Sequence, residues 1–322
     1  MENVKELISN WIPIKLIEKE NEVYFEWMYF ADLPFAEPFF EETIVKCKGH
    51  SYNSKRFKLI TTAENIIDWS KELDFVELKG FVFHVSRCGS TMLSQSLATS
   101  SKNIMVSEAP IIDQILRSDA FDLEIKTALL KSVLKFLAQK RFPEQKQLII
   151  KLDAWSIFKA SYLRLIFPEI PFALLYRNPA EVLQSHQKMA GMHMVPNLIP
   201  PSVFGITSKE MEKVNFQQYQ ALVLEKYFQG FLNFYDRDEN IIILNYNDGM
   251  KNVIERFIVF ININFSEIEL NVMLERLKKH SKNENTFFMG DSYKDDILSV
   301  NLTKLHILHA KLNANLIEDL AS

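Results

Sequence analysis

The chain has 322 residues, 48% of them hydrophobic and 24% charged, with a net charge of −4. That balance is ample for a buried core, argues against a disordered chain, and lacks the basic surplus that a general nucleic-acid binder needs. Two cysteines, Cys47 and Cys88, provide neither a disulfide framework nor zinc spacing. The opening residues, MENVKELISNW, carry acids and no long apolar run, so the expectation is a protein without signal peptide or membrane anchor, working in a reducing cytoplasm.

Residues 1–75 are rich in aromatics and acids, as in VYFEWMYFADLPFAEPFFEETIVKC, where Pro34 and Pro38 break the stretch into short pieces. They read as a small aromatic-rich N-terminal subdomain, with residues 76–322 as the main domain. From Gly80 onward, short apolar runs alternate with helical stretches. FVFHV (81–85), NIMVS (103–107), QLIIKL (147–152), PFALLY (171–176) and NIIILNY (240–246) read as strands buried on both faces. Between them SEAPIIDQIL, DLEIKTALLKSVLKFLAQK, WSIFKASYLRLIF, PAEVLQSHQKM and FQQYQALVLEKYFQGFLNFY have the spacing of helices. Such alternation predicts an α/β fold, a parallel sheet flanked by helices, with ligands at the carboxyl ends of the strands. Residues 191–213, containing Pro196, Pro200 and Pro201, have no clear period and read either as a lid or substrate loop or as irregular decoration.

The turn SRCGST joins the first of these strands to a helix. A helix start leaves backbone N–H groups unpaired, and the positive end of its dipole adds to them, so the turn can seat an anion. Gly89 permits close approach, Ser90 and Thr91 add hydroxyls, and Arg87 adds a guanidinium suited to phosphate or sulfate. An ordinary turn capped by a serine is the alternative. The Gly-Lys-Ser/Thr triplet of magnesium-triphosphate loops is missing, because Ser90 and Thr91 follow Gly89 directly.

A second motif follows the strand at 171–176, in YRNPAEVLQSHQ. Asn178 suits an N-cap, Pro179 the first helical position, and Glu181 the third residue of a capping box. Ser185 lies two turns along, so that Arg177 and Ser185 can address one ligand group together. A well-capped surface helix whose arginine pairs with a neighbouring acid is the other reading.

Both motifs, in this order, resemble those of the sulfotransferase family. Arg87, Cys88, Gly89, Ser90 and Thr91 match its 5′-phosphosulfate loop, and Arg177 with Ser185 matches its 3′-phosphate site. The resemblance covers about residues 80–295 and implies a P-loop-type, sulfotransferase-like nucleotide-binding fold, with 3′-phosphoadenosine 5′-phosphosulfate as donor and no metal. It also implies an adenine contact from Tyr246, although Asn247 stands where the family carries an acid. Met92 takes the place of a tryptophan that stacks on adenine in cytosolic members. In the segment HSKNENTFFMGDSYKDD, Gly290 and Asp291 fit a late family loop, and Lys282 is the nearest basic candidate for the 3′-phosphate.

Sulfuryl transfer needs charge stabilisation at the leaving phosphate, for which Arg87 and the loop N–H groups serve, and a base for the acceptor proton. The resemblance places Lys151 at the end of the third strand, with Asp153 where cytosolic members have a histidine. Glu108, ending another strand, is the second candidate base. Asp153 as a helix cap and Glu108 as the partner of a cation are the bland alternatives. His84 reads as a satisfied core histidine, His186 as a neighbour of the site, and His193 as a contact from the irregular segment. The acceptor is open among small molecules, carbohydrates and lipids. Two other functions stay in play: a P-loop small-molecule kinase, and a non-catalytic nucleotide-binding protein that has lost its base.

Overall fold

Apolar runs of about five residues are too short for helices but long enough to cross a sheet buried on both faces. The computed structural model, which describes residues 4–20, 22–53, 58–212, 214–236, 238, 240–280, 283–287 and 299–321, realises them as strands. An N-terminal antiparallel sheet comes first. Its strands are β1 (Trp11–Lys19), β2 (Glu22–Tyr29) and β3 (Ile60–Thr61), in the order β1-β2-β3. Pro13 cannot donate to a ladder. It sits on the edge strand β1, where the pairing register shifts between Pro13 and Lys15.

Five further strands form the central parallel sheet: β4 (Glu77–His84), β5 (Asn103–Ser107), β6 (Gln147–Lys151), β7 (Phe172–Tyr176) and β8 (Ile241–Asn245). Their order is β5-β6-β4-β7-β8, and every residue of β5 to β8 is buried. Continuous apolar strands of this kind fit a sheet covered by helices on both faces. From β4 the chain runs outward to one side and then returns to build the other, which makes β4 the point where strand order reverses. In open α/β sheets ligands bind outside the carboxyl end of the sheet at such a point.

By contact density the chain divides into two compact units. The first comprises Met1–Gly80, Ser94–Leu152 and Glu267–Arg276, and the second Phe81–Leu93, Asp153–Ser266 and Leu277–Ser322. Aromatic packing holds the first: the Trp27 indole donates to Thr61 Oγ1 at 2.8 Å and meets Phe136 edge-on at 4.7 Å between ring centres. In the second, β4 and β7 lie side by side with Phe81 opposite Phe172 and His84 opposite Leu175.

Several elements differ from the sequence expectation in extent. β4 begins at Glu77, ahead of its apolar run, and residues 77–79 escape a reading by apolar runs because they are exposed or half-buried. The helix expected over 155–167 is a 3-10 segment, Ala154–Lys159, followed by a helix, Ala160–Ile166. Residues 191–212 consist of 3-10 turns and one short helix, Ser208–Met211, with His193, Met194, Ile199, Phe204 and Ile206 buried. No helix among the described residues is long and apolar enough to cross a membrane.

Candidate functional site

The loop after β4 turns sharply. Ser86, Arg87 and Gly89 have φ of 65°, 50° and 82°, and the helix Ser90–Leu97 follows at once. Left-handed backbone at two residues with side chains costs on the order of 1 kcal/mol each, and turns of this kind can gather backbone N–H groups for an anion. The turn is braced from below. Ser86 N–H donates to His84 Nδ1 at 3.0 Å, and the buried Cys88 thiol donates to Leu175 O on β7 at 3.3 Å. Cys88 therefore has its side chain committed to the fold and only its backbone to offer a ligand. Ser90 and Met92 are buried, and Thr91 is half-buried.

Gly89 is required twice over. Its φ is one that side chains disfavour, and a Cβ there would lie 2.4 Å from Tyr246 Cδ2 and 2.8 Å from Met250 Sδ. Tyr246, which opens the 3-10 turn Tyr246–Asp248 after β8, thus rests its ring edge on the loop.

Arg177 leaves the end of β7 as expected, and Pro179 opens the helix Pro179–Lys188 behind the Asn178 cap, whose side chain accepts from Ala180 N–H at 2.9 Å. The expected capping box does not form. Glu181 turns instead to Arg177, accepting from its Nε at 2.6 Å, while Asn247 Nδ2 donates to the same carboxylate at 3.2 Å. Asn247 is also bound to the chain at the helix start, since its Oδ1 accepts from Asn178 N–H at 3.0 Å. Arg177 Nη1 donates to the carbonyl of Arg87 at 3.3 Å, and the guanidinium carbon stands 4.1 Å from the centre of the Tyr246 ring. The Arg177 side chain is 6% exposed. At the other end of the helix, Arg87 Nη2 donates to Met189 O at 2.6 Å. Gly89, Tyr246 and the Arg177 side chain thus meet at the backbone of the loop, whereas the Arg87 guanidinium reaches the far end of the helix; the alternative pairing of Arg177 with a neighbouring acid is present as well. Ser185 is half-buried on the same helix, two turns from the cap.

The candidate bases follow β5 and β6. Glu108 has φ of 55°, a left-handed conformation unusual for a residue with a side chain, and its N–H donates to Lys151 O at 2.7 Å. Its carboxylate lies 2.7 Å from Lys151 Nζ, an ionic contact without hydrogen-bond alignment. The Lys151 side chain is 1% exposed and stands 4.9 Å from the centre of the Phe39 ring. Asp153 begins the 3-10 segment Ala154–Lys159, but its side chain makes no capping hydrogen bond. Lys282, Gly290 and Asp291 lie outside the described residues.

His84 is buried and braces the loop, as a core histidine would. His186 and His193 are buried too, with ring centres 5.4 Å apart, and His193 packs between Trp155 and Tyr227. Sequence reasoning allowed Arg177 a neighbouring acid but assigned Glu181 to the cap, although the i, i+4 spacing of this acid and the arginine is a signal for the pair. It missed Asn313, on the helix Thr303–Ala321. This side chain accepts from Tyr176 Oη at 2.6 Å and from Asn245 Nδ2 at 3.2 Å, joining the ends of the two strands that carry Arg177 and Tyr246. No local sequence pattern marks it.

No protein-family model matches the sequence, and no curated protein matches it either. Among solved structures, the sulfotransferase domain from the curacin biosynthetic pathway superposes with a TM-score of 0.50 at 16% identity, covering 74% of this chain and 99% of that domain. A sulfotransferase from Mycobacterium avium gives 0.49 at 13% identity over 78% of this chain and 79% of its own, and the sulfotransferase domain of a Synechococcus olefin synthase gives 0.45 at 15% identity over 74% and 96%. The first of these covers nearly the whole of the known domain, and by that likeness the fold of this chain is sulfotransferase-like.

Proposed function

We propose that this protein is a sulfotransferase that moves a sulfuryl group from 3′-phosphoadenosine 5′-phosphosulfate to a hydroxyl or amine of a small-molecule, carbohydrate or lipid acceptor. The observation that carries this reading is the contact of Arg177 with the left-handed loop that carries Arg87, 90 residues earlier in the chain, where Arg177 Nη1 donates to the backbone carbonyl of Arg87. A left-handed loop opening a helix suits one anion and the Arg177 guanidinium beside it suits a second, as a ligand with an anion at each end requires.

The donor supplies an activated sulfuryl group. Arg87 and the loop N–H groups oppose the charge that grows on the departing phosphate, and Arg177 with Ser185 holds the second phosphate. Tyr246, already resting on the loop, borders the adenine side. The sulfur–oxygen bond to the phosphate breaks, and its electron pair leaves with the phosphate. A bond from sulfur to the acceptor oxygen or nitrogen forms as the acceptor proton passes to a carboxylate, for which Glu108 and Asp153 are the candidates. The strained backbone at Glu108 favours that residue, because conformations of this kind concentrate at functional positions.

The test is mass spectrometry of reactions containing the donor and panels of phenols, sugars, lipid alcohols and amines. At least one acceptor is expected to gain SO₃, with the gain lost in Arg87→Ala and turnover sharply reduced in Glu108→Gln. Phosphorylated products from ATP and magnesium, with no sulfated product from any panel, would overturn the proposal in favour of a kinase.

A further inference from the structure

Arg177 is a buried guanidinium, and burial of a lone charge is costly unless a counter-charge accompanies it. Glu181 is that counter-charge, 2.6 Å from Arg177 Nε. Asn247 keeps the carboxylate in place, with its Nδ2 at 3.4 Å and 3.2 Å from the two oxygens and its Oδ1 fixed by Asn178 N–H. Three elements therefore cooperate to hold a carboxylate on the Nε side of an arginine whose face is already covered by Tyr246. A phosphate pairs best with arginine through two parallel N–H groups, and the Nε edge is one of the two edges that offer such a fork.

Resting on the donor reading given above, we propose that Glu181 is a resident anion that competes with the donor's phosphate for Arg177, holding donor and product affinity down. It acts through Arg177 and is a positioning residue. Asn247, which would be a second carboxylate if it were an acid, accordingly has to be neutral: Asp at 247 would face Glu181 with like charge. A phosphate approaching Arg177 meets a guanidinium whose charge is offset by Glu181. Without the carboxylate that positive charge stands unopposed, and repulsion between phosphate and carboxylate disappears.

The test is calorimetric titration of adenosine 3′,5′-bisphosphate into the wild-type chain and into Glu181→Gln, which retains hydrogen bonding and removes charge, at low and high salt. The expected result is binding about tenfold tighter in Glu181→Gln at low salt, from loss of one like charge at close range. A steeper loss of affinity with salt should accompany it, which a purely structural role of Glu181 would not produce. Asn247→Ala, which frees the carboxylate to swing away but leaves its charge, should tighten binding by a smaller factor, and it serves if Glu181→Gln does not fold. Wild-type binding with no tightening in either variant would overturn this proposal and leave the donor reading intact. No binding to the wild-type chain would overturn both.

Discussion

Lys151 illustrates how far a single charge can be buried when its neighbours are prepared for it. An ammonium that is 1% exposed is compensated by Glu108 at 2.7 Å and by the face of Phe39. Removing one member of such a pair strands the other, and the loss exceeds what the pair itself contributes. Lys151→Met is expected to lower stability by about 3 kcal/mol in urea unfolding, and adding Glu108→Gln should return a large part of it. A loss below about 1 kcal/mol, or no recovery in the double variant, would show that the carboxylate is already well solvated without the lysine. At this scale the sequence was informative wherever residue type alone constrains chemistry. Gly89 was legible because a sharp strand-to-helix turn needs a residue tolerant of positive φ, and Asn178 because few residues cap a helix start. Glu181 was misread because it stands three residues after the Asn178 cap and four after Arg177, so two roles fit the spacing equally. The choice between them was made by Asn247, 66 residues away, which no local pattern could reveal.

Elements were legible where burial is complete. The fully buried strands β5 to β8 and the helix Phe216–Tyr235 stand where periodicity places them, whereas β4 extends four residues ahead of its apolar run and the helix expected from Trp155 opens in 3-10 form. Residues 191–212 offered only prolines and no period, yet they contain a capping box of their own. Thr207 Oγ1 accepts from Glu210 N–H at 3.3 Å, and Thr207 N–H donates to Glu210 Oε2 at 2.7 Å. That backbone bond, followed by the bond from Lys226 at 3.1 Å and that from the Thr207 hydroxyl, holds the Glu210 carboxyl down at about 2. A carboxyl whose pKa is depressed by folding stabilises the protein above its unfolded value, and this stabilisation drains away as pH falls through the folded one. Glu210→Gln should therefore cost about 1 kcal/mol at neutral pH, a figure discounted because the side chain is over a third exposed. Urea unfolding at a series of pH values should show the difference between wild type and variant shrinking from the ordinary glutamate range toward about pH 2. A difference independent of pH would assign the effect to packing instead.

For the molecule as a whole, alternation of strand and helix announces a parallel sheet but leaves strand order open, since many windings share one pattern. The order β5-β6-β4-β7-β8 puts β4 beside β7, and it is this adjacency that lets the loops carrying Arg87 and Arg177 meet. All of the described residues that gather around them, Gly89, Glu181, Tyr246 and Asn247 included, belong to the second compact unit. The sequence could name both arginines, through resemblance to a family, but could not show that the loops carrying them adjoin. The central claim is that one pocket grips a nucleotide by a phosphate at each end, and calorimetry with adenosine 3′,5′-bisphosphate tests it most directly. Wild-type chain should bind this ligand without magnesium and in preference to ATP, while Arg87→Ala and Arg177→Ala, shown to be folded by circular dichroism, should each weaken binding at least tenfold, in line with the loss of a charge-assisted pair. Undiminished affinity in both variants would contradict the account.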